Sequence, residues 1–292
     1  MTSHHPLRGI ALMLVAVFFF ALLDATAKHL SASFAVPLLV WARYLVHLLL
    51  MTIVLGPRLG RSMVSTQHPR KQVARALMLL GCTGFGMAAL SRMPLAETTA
   101  TVFITPLVVA ILAGPILGER ITWVRWVGLA AGFAGVIMIA RPGGAVSADG
   151  LVYALLCAAC YSGYQIMTRL LAPTEGTLTM LFYTALVGTL AMSLGLPWFW
   201  GGPVPDPVEL TMIAALGVFG GTGHFLLISA FRNAPVSVLS PVIYAQLVWA
   251  TLLGWAVFDH APDGWAVSGM FLIAASGMAL ATIERLSACQ RK

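Results

Sequence analysis

The chain has 292 residues, of which 59% are hydrophobic and only 9% are charged, and its mean hydropathy is +0.90. A soluble domain carries roughly a quarter charged residues, so this composition excludes a soluble protein and indicates a membrane protein. The net charge of +7 does not indicate nucleic-acid binding, because the basic residues are spread over short segments. Contact with an anionic membrane surface explains them better.

Ten apolar segments follow one another along the chain, each close to the ~20 residues that span the hydrocarbon core. They cover residues 8–28, 35–56, 74–93, 95–117, 122–140, 150–170, 177–197, 209–231, 235–257 and 265–284. We refer to them as spans 1 to 10. They predict an all-α membrane protein with ten transmembrane helices.

An internal repeat relates the first five spans to the last five. A shift of 141 residues (150 minus 9) places Gly9 on Gly150 and Gly128 on Gly269 without a gap. Because each unit has an odd number of spans, the second unit enters the membrane from the opposite side. An inverted repeat of this kind is typical of transporters. The two units are residues 8–141 and 149–284.

Basic residues indicate the side of the membrane that each loop faces, because Lys and Arg collect in cytoplasmic loops. With the N-terminus inside, thirteen of the seventeen basic residues lie on the cytoplasmic side, Arg70, Lys71 and Arg75 among them. We therefore predict that both termini are cytoplasmic and that the chain is a multi-pass protein of the inner cell membrane.

Polar side chains inside the spans are the candidates for ligand binding. Tyr153, Tyr161 and Tyr164 lie on one side of span 6 at helical spacing. Lipid offers no hydrogen bonds to their hydroxyl groups, so this side either lines an aqueous cavity or forms a structural stripe inside the bundle. The candidate binding residues are Tyr161, Tyr164, Gln165, His224, Tyr244, Gln246, Thr101 and Thr105.

These candidates differ in how strongly they indicate a site. Thr101 and Thr105 are weak, because a threonine hydroxyl can bond a carbonyl of its own helix. Gln246 is stronger, since one helix cannot satisfy all the donors and acceptors of its amide. His224 is either a satisfied buried histidine or a ligand or proton contact.

Apart from the arginines assigned above to one side of the membrane or to a span end, four charged residues lie within the spans of the first unit: Asp24, Lys28, Arg43 and Glu97. Ionisable residues inside a membrane are functional candidates by default. The topology places all four in the outer half of the membrane, and Asp24 and Lys28 have the i,i+4 spacing of a helical ion pair. They form an outer gate, bind a zwitterion, or are static pairs with snorkelling side chains. Their repeat partners are Gln165, Arg169, Thr184 and Val238, so the inner half is expected to lack an equivalent charged set.

Glycines gather in span 3 and in its repeat partner, span 8. Small residues allow close helix contacts in lipid, and they also suit helices that bend or slide. Cys157 and Cys160 have the CxxC spacing but lack a thioredoxin-like context, so they are interpreted as small packing residues.

Two long stretches resemble the end of an EamA module, the repeat unit of the drug/metabolite transporter superfamily. From Ile104 the chain reads ITPLVVAILAGPILGERITWVRWVGLAAGFAGVIMIARP, and from Ser240 it reads SPVIYAQLVWATLLGWAVFDHAPDGWAVSGMFLIAASGMAL. The resemblance implies a ten-helix bundle whose central cavity, lined by spans 1, 3, 4, 6, 8 and 9, opens to alternate sides. The turn Gly118-Glu119-Arg120 fits the family pattern, whereas the second copy has Phe258-Asp259-His260. At both turns the expected role is a surface helix stop.

The expected function is secondary transport of a small metabolite, with no cofactor, no metal and no covalent chemistry. There is no GxxxxGK[ST] loop for ATP, no HExxH pair for zinc, and only one aspartate inside a span, where an aspartyl protease needs two. Asp24, Glu97 and His224 are the groups that could couple transport to protons.

Tyrosine faces beside a charge pair suit a zwitterion with an apolar side chain, so export of aromatic or broadly neutral amino acids is the leading hypothesis. Import of a vitamin or nucleoside-like compound, of the riboflavin or S-adenosylmethionine type, is the alternative. A non-transporting scaffold or receptor is the candidate from a different class. The expected partners are the substrate and the bilayer, and the protein is expected to be a monomer.

Overall fold

The computed structural model describes residues 6–117, 123–141, 145–171, 173–199, 201, 203–233, 239 and 242–290. Within these ranges the chain forms helices and turns and no strand, which confirms the all-α prediction. The first half has α1 (Pro6–Leu30), α2 (Val36–Leu50), α3 (Gly56–Leu59), α4 (Pro69–Leu90), α5 (Leu95–Val102), α6 (Thr105–Leu117) and α7 (Trp123–Ile139). The second half has α8 (Ala148–Leu171), α9 (Thr177–Phe199), α10 (Pro207–Asn233), α11 (Ala245–Phe258) and α12 (Gly264–Gln290).

Spans 4 and 9 are each interrupted, which the sequence analysis did not predict. In span 4, α5 ends at Val102 because the ring of Pro106 cannot fit against a helical carbonyl four residues earlier. The Val102 carbonyl accepts a hydrogen bond from the Thr105 hydroxyl instead (2.6 Å). In span 9, a turn at Tyr244 precedes α11. The repeat shift places Phe103 on Tyr244, and the two rings are in contact at 5.2 Å between centroids.

Two pairs of repeat-related helices pack antiparallel to each other. Near the start of α2, Trp41 donates a hydrogen bond to Ser193 near the end of α9 (2.9 Å). Met51, beyond the end of α2, shares an apolar cluster with Leu181, near the start of α9. The helices α7 and α12 also pack antiparallel, with Gly135 against Ile273 and Ile139 against Gly269.

The remaining contacts between the halves follow the same repeat relation. Helix α1 packs along α10, and its repeat partner α8 packs along α4. Helix α2 contacts α10, and its partner α9 contacts α4. The two halves therefore interleave, with the long helices α1, α4, α8 and α10 at the centre of the molecule.

Helix length and composition indicate a multi-pass membrane protein. Among the described residues, six helices are long and apolar enough to cross a membrane, and four apolar helices are shorter. The six are Leu7–Leu30, Val36–Leu55, Pro69–Leu90, Ala148–Thr168, Thr177–Phe199 and Pro207–Leu227; the shorter ones are Leu95–Val109, Trp126–Ile139, Ala245–Phe258 and Gly264–Leu280. The ten crossings and the opposite insertion of the two halves stay predictions.

Candidate functional site

Arg43 lies where α2, α4 and α10 meet. Its Nη1 donates a hydrogen bond to the Thr83 hydroxyl of α4 (2.6 Å), which also bonds the Tyr44 hydroxyl (2.9 Å). A Cβ atom at Gly220 of α10 would lie 3.0 Å from Arg43 Nε, so the glycine provides the space for the guanidinium group. Arg43 therefore points into the bundle rather than snorkelling to its surface.

Asp24 faces the same region from α1. Its Oδ2 accepts a hydrogen bond from the Gln246 side chain of α11 (3.2 Å), and it interacts electrostatically with Arg43. Opposite charges from two separate helices are thus brought into one interior region, with an amide beside the carboxylate.

Lys28 does not pair with Asp24, although the spacing of the two residues suits an ion pair. Its Nζ donates hydrogen bonds to the carbonyl groups of Leu90 and Met93 (2.8 Å each). Lys28 lies in the last turn of α1, beside the end of α4, and the last carbonyls of a helix have no helical partners. This contact ties α1 to α4 at one end of the bundle.

Glu97 lies at the same end, in the first turn of α5. Its side chain is almost fully buried (residue exposure 2%), and Oε1 is 3.1 Å from His260 Nε2. Its Oε2 has no hydrogen-bond partner among the described residues. A cavity of about 60 Å³ borders Glu97, His260 and Asp263. We call this region, with Lys28 and the end of α4, the Lys28 end.

The expected helix stop in the second unit is present, but the turn also contributes to this end. Helix α11 stops at Phe258, and Asp259 has the left-handed backbone conformation that follows many helices (φ 51°). The next residue, His260, contacts Glu97. The corresponding turn Gly118-Glu119-Arg120 lies outside the described residues.

Arg75, counted above among the basic residues of the cytoplasmic side, is a buried charge inside the bundle. Helix α4 begins at Pro69, five residues before the predicted start of span 3, so Arg75 lies in the second turn of the helix. Its exposure is 1%. The guanidinium group donates hydrogen bonds to Thr184 (2.8 Å), Thr168 (3.4 Å) and the Met180 carbonyl.

The expectation that the inner half of the membrane lacks an equivalent charged set stays a prediction, although Arg75 places one buried cation beside a repeat partner of that set. Thr184 is the repeat partner of Arg43, and Arg75 supplies from α4 the cation that α9 lacks. Pro69 was the available signal, because proline is common in the first turn of a helix. We call the region around Arg75 and the start of α4 the Glu175 end, because the Glu175 carboxylate accepts a hydrogen bond from Gln72 in this part of α4 (3.2 Å).

The tyrosines of span 6 divide between the two ends. Tyr161 and Tyr164 are stacked, with 5.9 Å between ring centroids and 10° between ring planes, and the Arg75 guanidinium lies 5.1 Å from the Tyr164 ring. Tyr153 is at the Lys28 end, where its ring faces Arg92 at 4.9 Å. Gln165 is half-buried on α8.

His224 and Tyr244 lie inside the bundle. The His224 ring is 5.0 Å from the Phe20 ring, and it interacts electrostatically with Arg43 and Arg75. The Tyr244 hydroxyl is buried without a hydrogen bond in the described part of the chain, packed against Gly277.

The two threonines of span 4 satisfy themselves locally. The Thr101 hydroxyl donates to the Glu97 carbonyl (2.8 Å), and that of Thr105 donates to the Val102 carbonyl (2.6 Å). This geometry matches the interpretation that each hydroxyl group bonds a nearby carbonyl of its own segment. Ser237 and Ser240 of span 9 lie outside the described residues.

The cysteines and glycines of spans 3 and 6 face each other. The Sγ atoms of Cys82 and Cys157 are 3.6 Å apart, and both thiols are free. A Cβ atom at Gly81 would lie 3.0 Å from the Cys160 sulfur, so Gly81 allows α4 and α8 to approach closely. Both residue types therefore contribute to packing.

Comparison with known proteins adds three observations. The model of the EamA-like transporter family matches residues 7–141 and 148–282. The chain is 29% identical over 218 residues to an S-adenosylmethionine uptake transporter of Rickettsia prowazekii, covering 73% of the chain and 72% of the relative. It is 29% identical over 284 residues to a riboflavin transporter of Vibrio cholerae, covering 94% and 93%.

A further relative and a solved structure match nearly the whole length. The chain is 27% identical over 285 residues to a pseudopaline exporter of Pseudomonas aeruginosa, covering 95% of the chain and 97% of the relative. A crystal structure of another protein has a TM-score of 0.66 and 23% identity, covering 96% of this chain and 98% of the other. That likeness shows a shared fold.

Proposed function

We propose a function for this chain from the premise that it belongs to the EamA-like transporter family of the drug/metabolite transporter superfamily and carries the family domain twice. Its relatives are transporters of small molecules. The proposed activity is secondary transport across the inner membrane by alternating access, with ten crossings in two oppositely inserted halves.

Two features of the packing support this mechanism. Repeat-related helices run antiparallel where they meet, as two oppositely inserted halves require. Spans 4 and 9 are broken at equivalent positions, and their breaks are in contact through Phe103 and Tyr244. Interrupted helices at matching positions of the two halves commonly mark the binding site of such transporters.

The cargo we propose is an amino acid with an aromatic or neutral side chain, moved outward. The observation that supports it most directly is the interior pair of opposite charges, Asp24 with Gln246 on one side and Arg43 with Thr83 on the other. A carboxylate and a cation suit the amine and the carboxylate of a zwitterion. The stacked Tyr161 and Tyr164 rings offer a flat apolar surface for the side chain.

A second candidate is uptake of a nucleoside-like or vitamin compound, which the relatives favour. S-adenosylmethionine also carries an amino-acid head, so Asp24 and Arg43 would serve it in the same way. Riboflavin has no such head and would depend on the aromatic rings. The two candidates therefore differ in whether transport needs the interior charges.

The gate we propose is the Lys28 end. Lys28 ties α1 to α4, and Glu97 ties α5 to the segment after α11 through His260. By the proposed topology this end faces outward. Glu97 is also the candidate for coupling transport to protons, because its carboxylate is buried, borders a cavity and contacts the His260 imidazole.

The test is counterflow into proteoliposomes preloaded with unlabelled compound, using labelled phenylalanine, leucine, S-adenosylmethionine, riboflavin and adenosine. Accumulation of amino acids supports the first candidate, and accumulation of riboflavin or adenosine alone overturns it. Asp24→Asn should abolish amino-acid accumulation with little change in folded yield. Asp206→Asn is the matched control, since Asp206 is exposed and asparagine also caps a helix start. No accumulation of any compound would favour a scaffold or receptor.

A further inference from the structure

We infer that Arg75 is the core of a second subsite, one that binds the carboxylate of a ring-bearing substrate at the Glu175 end. This inference rests on the proposed transport function. It concerns a different region from the Asp24 and Arg43 pair, so a ligand with one carboxylate occupies the two regions in turn. On α4, Arg75 lies eight residues before Thr83, the partner of Arg43, which corresponds to about 12 Å along the helix.

The charge of Arg75 is not balanced by a partner of opposite charge among the described residues. All the hydrogen-bond acceptors of Arg75 among the described residues are neutral: two threonine hydroxyls and a main-chain carbonyl. Its Nε is buried and has no acceptor in that part of the chain. A buried guanidinium without an anion is costly, because the lost hydration is not repaid by a partner charge. A substrate carboxylate would supply the missing charge and the missing acceptor.

Neither nearby carboxylate is paired with Arg75. Asp24 is bonded to Gln246 and faces Arg43. Both oxygens of Glu175 accept hydrogen bonds from uncharged donors in residues 66–72. The charge of Arg75 therefore has no direct partner of opposite sign among the described residues, which suits an anionic group on the ligand.

Two stacked aromatic rings lie beside Arg75. The guanidinium lies over the Tyr164 ring, and the Tyr164 ring is parallel to that of Tyr161. A ligand whose carboxylate bonds Arg75 can place its own ring along the same stack. The ligand class is therefore an aromatic or heteroaromatic carboxylate.

A purely structural role for Arg75 predicts a different outcome on mutation. If Arg75 only joins α4 to α8 and α9, its loss lowers stability and affects all ligands equally. If Arg75 binds the carboxylate, its loss weakens the binding only of ligands that have a carboxylate. The comparison of ligands with and without a carboxylate separates the two roles.

The experiment measures binding to the purified protein by competition against a labelled aromatic amino acid and, independently, by ligand-induced thermal stabilisation. The three probes are L-phenylalanine, 3-phenylpropionate, which keeps the carboxylate and lacks the amine, and L-phenylalaninamide, which lacks the carboxylate. The variants are Arg75→Gln and Arg75→Lys. The matched control is Arg70→Gln, an exposed arginine one turn earlier in the same helix.

We expect Arg75→Gln to weaken binding of phenylalanine and phenylpropionate about tenfold or more, the size of one lost charge-assisted contact, and to leave phenylalaninamide unchanged. Arg75→Lys should be intermediate, because it keeps the charge and loses the two-pronged geometry. Arg70→Gln should match the wild type.

The inference is overturned if Arg75→Gln weakens the binding of all three probes equally, or if it weakens the binding of neither probe that has a carboxylate. It is also overturned if the wild type binds neither of these two probes. Should Arg75→Gln fail to fold, the same comparison is made with Arg75→Lys. Binding without transport would reject the proposed function and leave this result standing. Transport with no discrimination at Arg75 would reject only the inference.

Discussion

The two ends of α4 are closed in different ways. At the Lys28 end, two ion pairs, Arg92 with Asp149 and Arg141 with Asp263, lie near the contact of Glu97 with His260. At the Glu175 end, one carboxylate accepts hydrogen bonds from several uncharged donors. Glu175 Oε1 accepts hydrogen bonds from the Thr66 hydroxyl and the main-chain N–H groups of Gln67 and His68, and Oε2 accepts one from Gln72.

This difference has consequences for how each end opens. Burial raises the pKa of Glu175, but hydrogen bonds from Thr66, Gln67, Gln72 and His68 outweigh burial, and the pKa lies below its ordinary value. The Glu175 carboxylate therefore stays ionised, and keeps these hydrogen bonds, over the physiological pH range. The Lys28 end has no comparable set of hydrogen bonds on one carboxylate, because the Glu97 side chain has a single partner, His260, among the described residues.

The largest expected effect is that of Glu175→Gln. The variant replaces one acceptor oxygen by an amide group that faces donors, and all four hydrogen bonds lose their charged acceptor. Because hydrogen bonds to charged groups contribute about 1.5–3 kcal/mol each, we expect a loss of at least roughly 2–4 kcal/mol of stability. The measurement is thermal unfolding in detergent. Glu209→Gln is the control, since Glu209 accepts a single exposed hydrogen bond from Asp206.

The dependence of stability on pH tests the contribution of the same carboxylate. A group whose pKa is lowered in the folded protein stabilises it fully above the unfolded pKa and loses this contribution as the pH falls through the folded value. Wild-type stability should therefore decline from about pH 5 to about pH 3, and the Glu175→Gln variant should lack that part of the decline. Equal pH profiles for the two proteins would contradict the assignment.

The sequence predicted an all-helical chain of apolar segments because hydrophobic length and the repeat are local or periodic signals. It missed the breaks at Phe103 and Tyr244, although Pro106 marks the first of them. Hydropathy averages over a window, so a two-residue interruption between apolar neighbours leaves it unchanged.

The interior charges were only partly predictable. Asp24, Arg43 and Glu97 stand out because they interrupt apolar segments. Arg75 was missed because it lies near the end of its helix, where a basic residue suits a cytoplasmic loop equally well. The contact between Glu97 and His260 joins residues 163 positions apart, so it depends on packing that no local pattern encodes.

A second, smaller effect is expected at the buried contact of the Lys28 end. Glu97→Gln removes the carboxylate that pairs with His260, which should loosen the segment between α11 and α12. The reporter is Ala266→Cys, placed at a buried residue of the adjoining cavity in a background without the native cysteines. We expect labelling by a membrane-impermeant maleimide to quicken by roughly tenfold, the effect of losing about 1.4 kcal/mol. An unchanged rate would show that Glu97 does not restrain this end.

The matched variant for that measurement is Glu209→Gln in the same reporter background. Glu209 lies at the start of α10, away from the cavity, and its replacement should leave labelling of the reporter cysteine unaffected. A rise in both variants would indicate general destabilisation rather than opening of the Lys28 end. His260→Gln should resemble Glu97→Gln, because it removes the same contact from the other side.

The smallest effect is expected for Asp149→Asn, at the exposed ion pair of the Lys28 end. Asp149 is 2.7 Å from Arg92, but the two side chains are 61% and 39% exposed, and water screens such pairs. Arg92 also keeps its contacts with the Ala88 carbonyl and the Tyr153 ring when the carboxylate is neutralised. The melting temperature and the labelling rate of the reporter cysteine should therefore stay within experimental error of the wild type. A marked change in either would mean that surface ion pairs, and not the buried Glu97 contact, close this end.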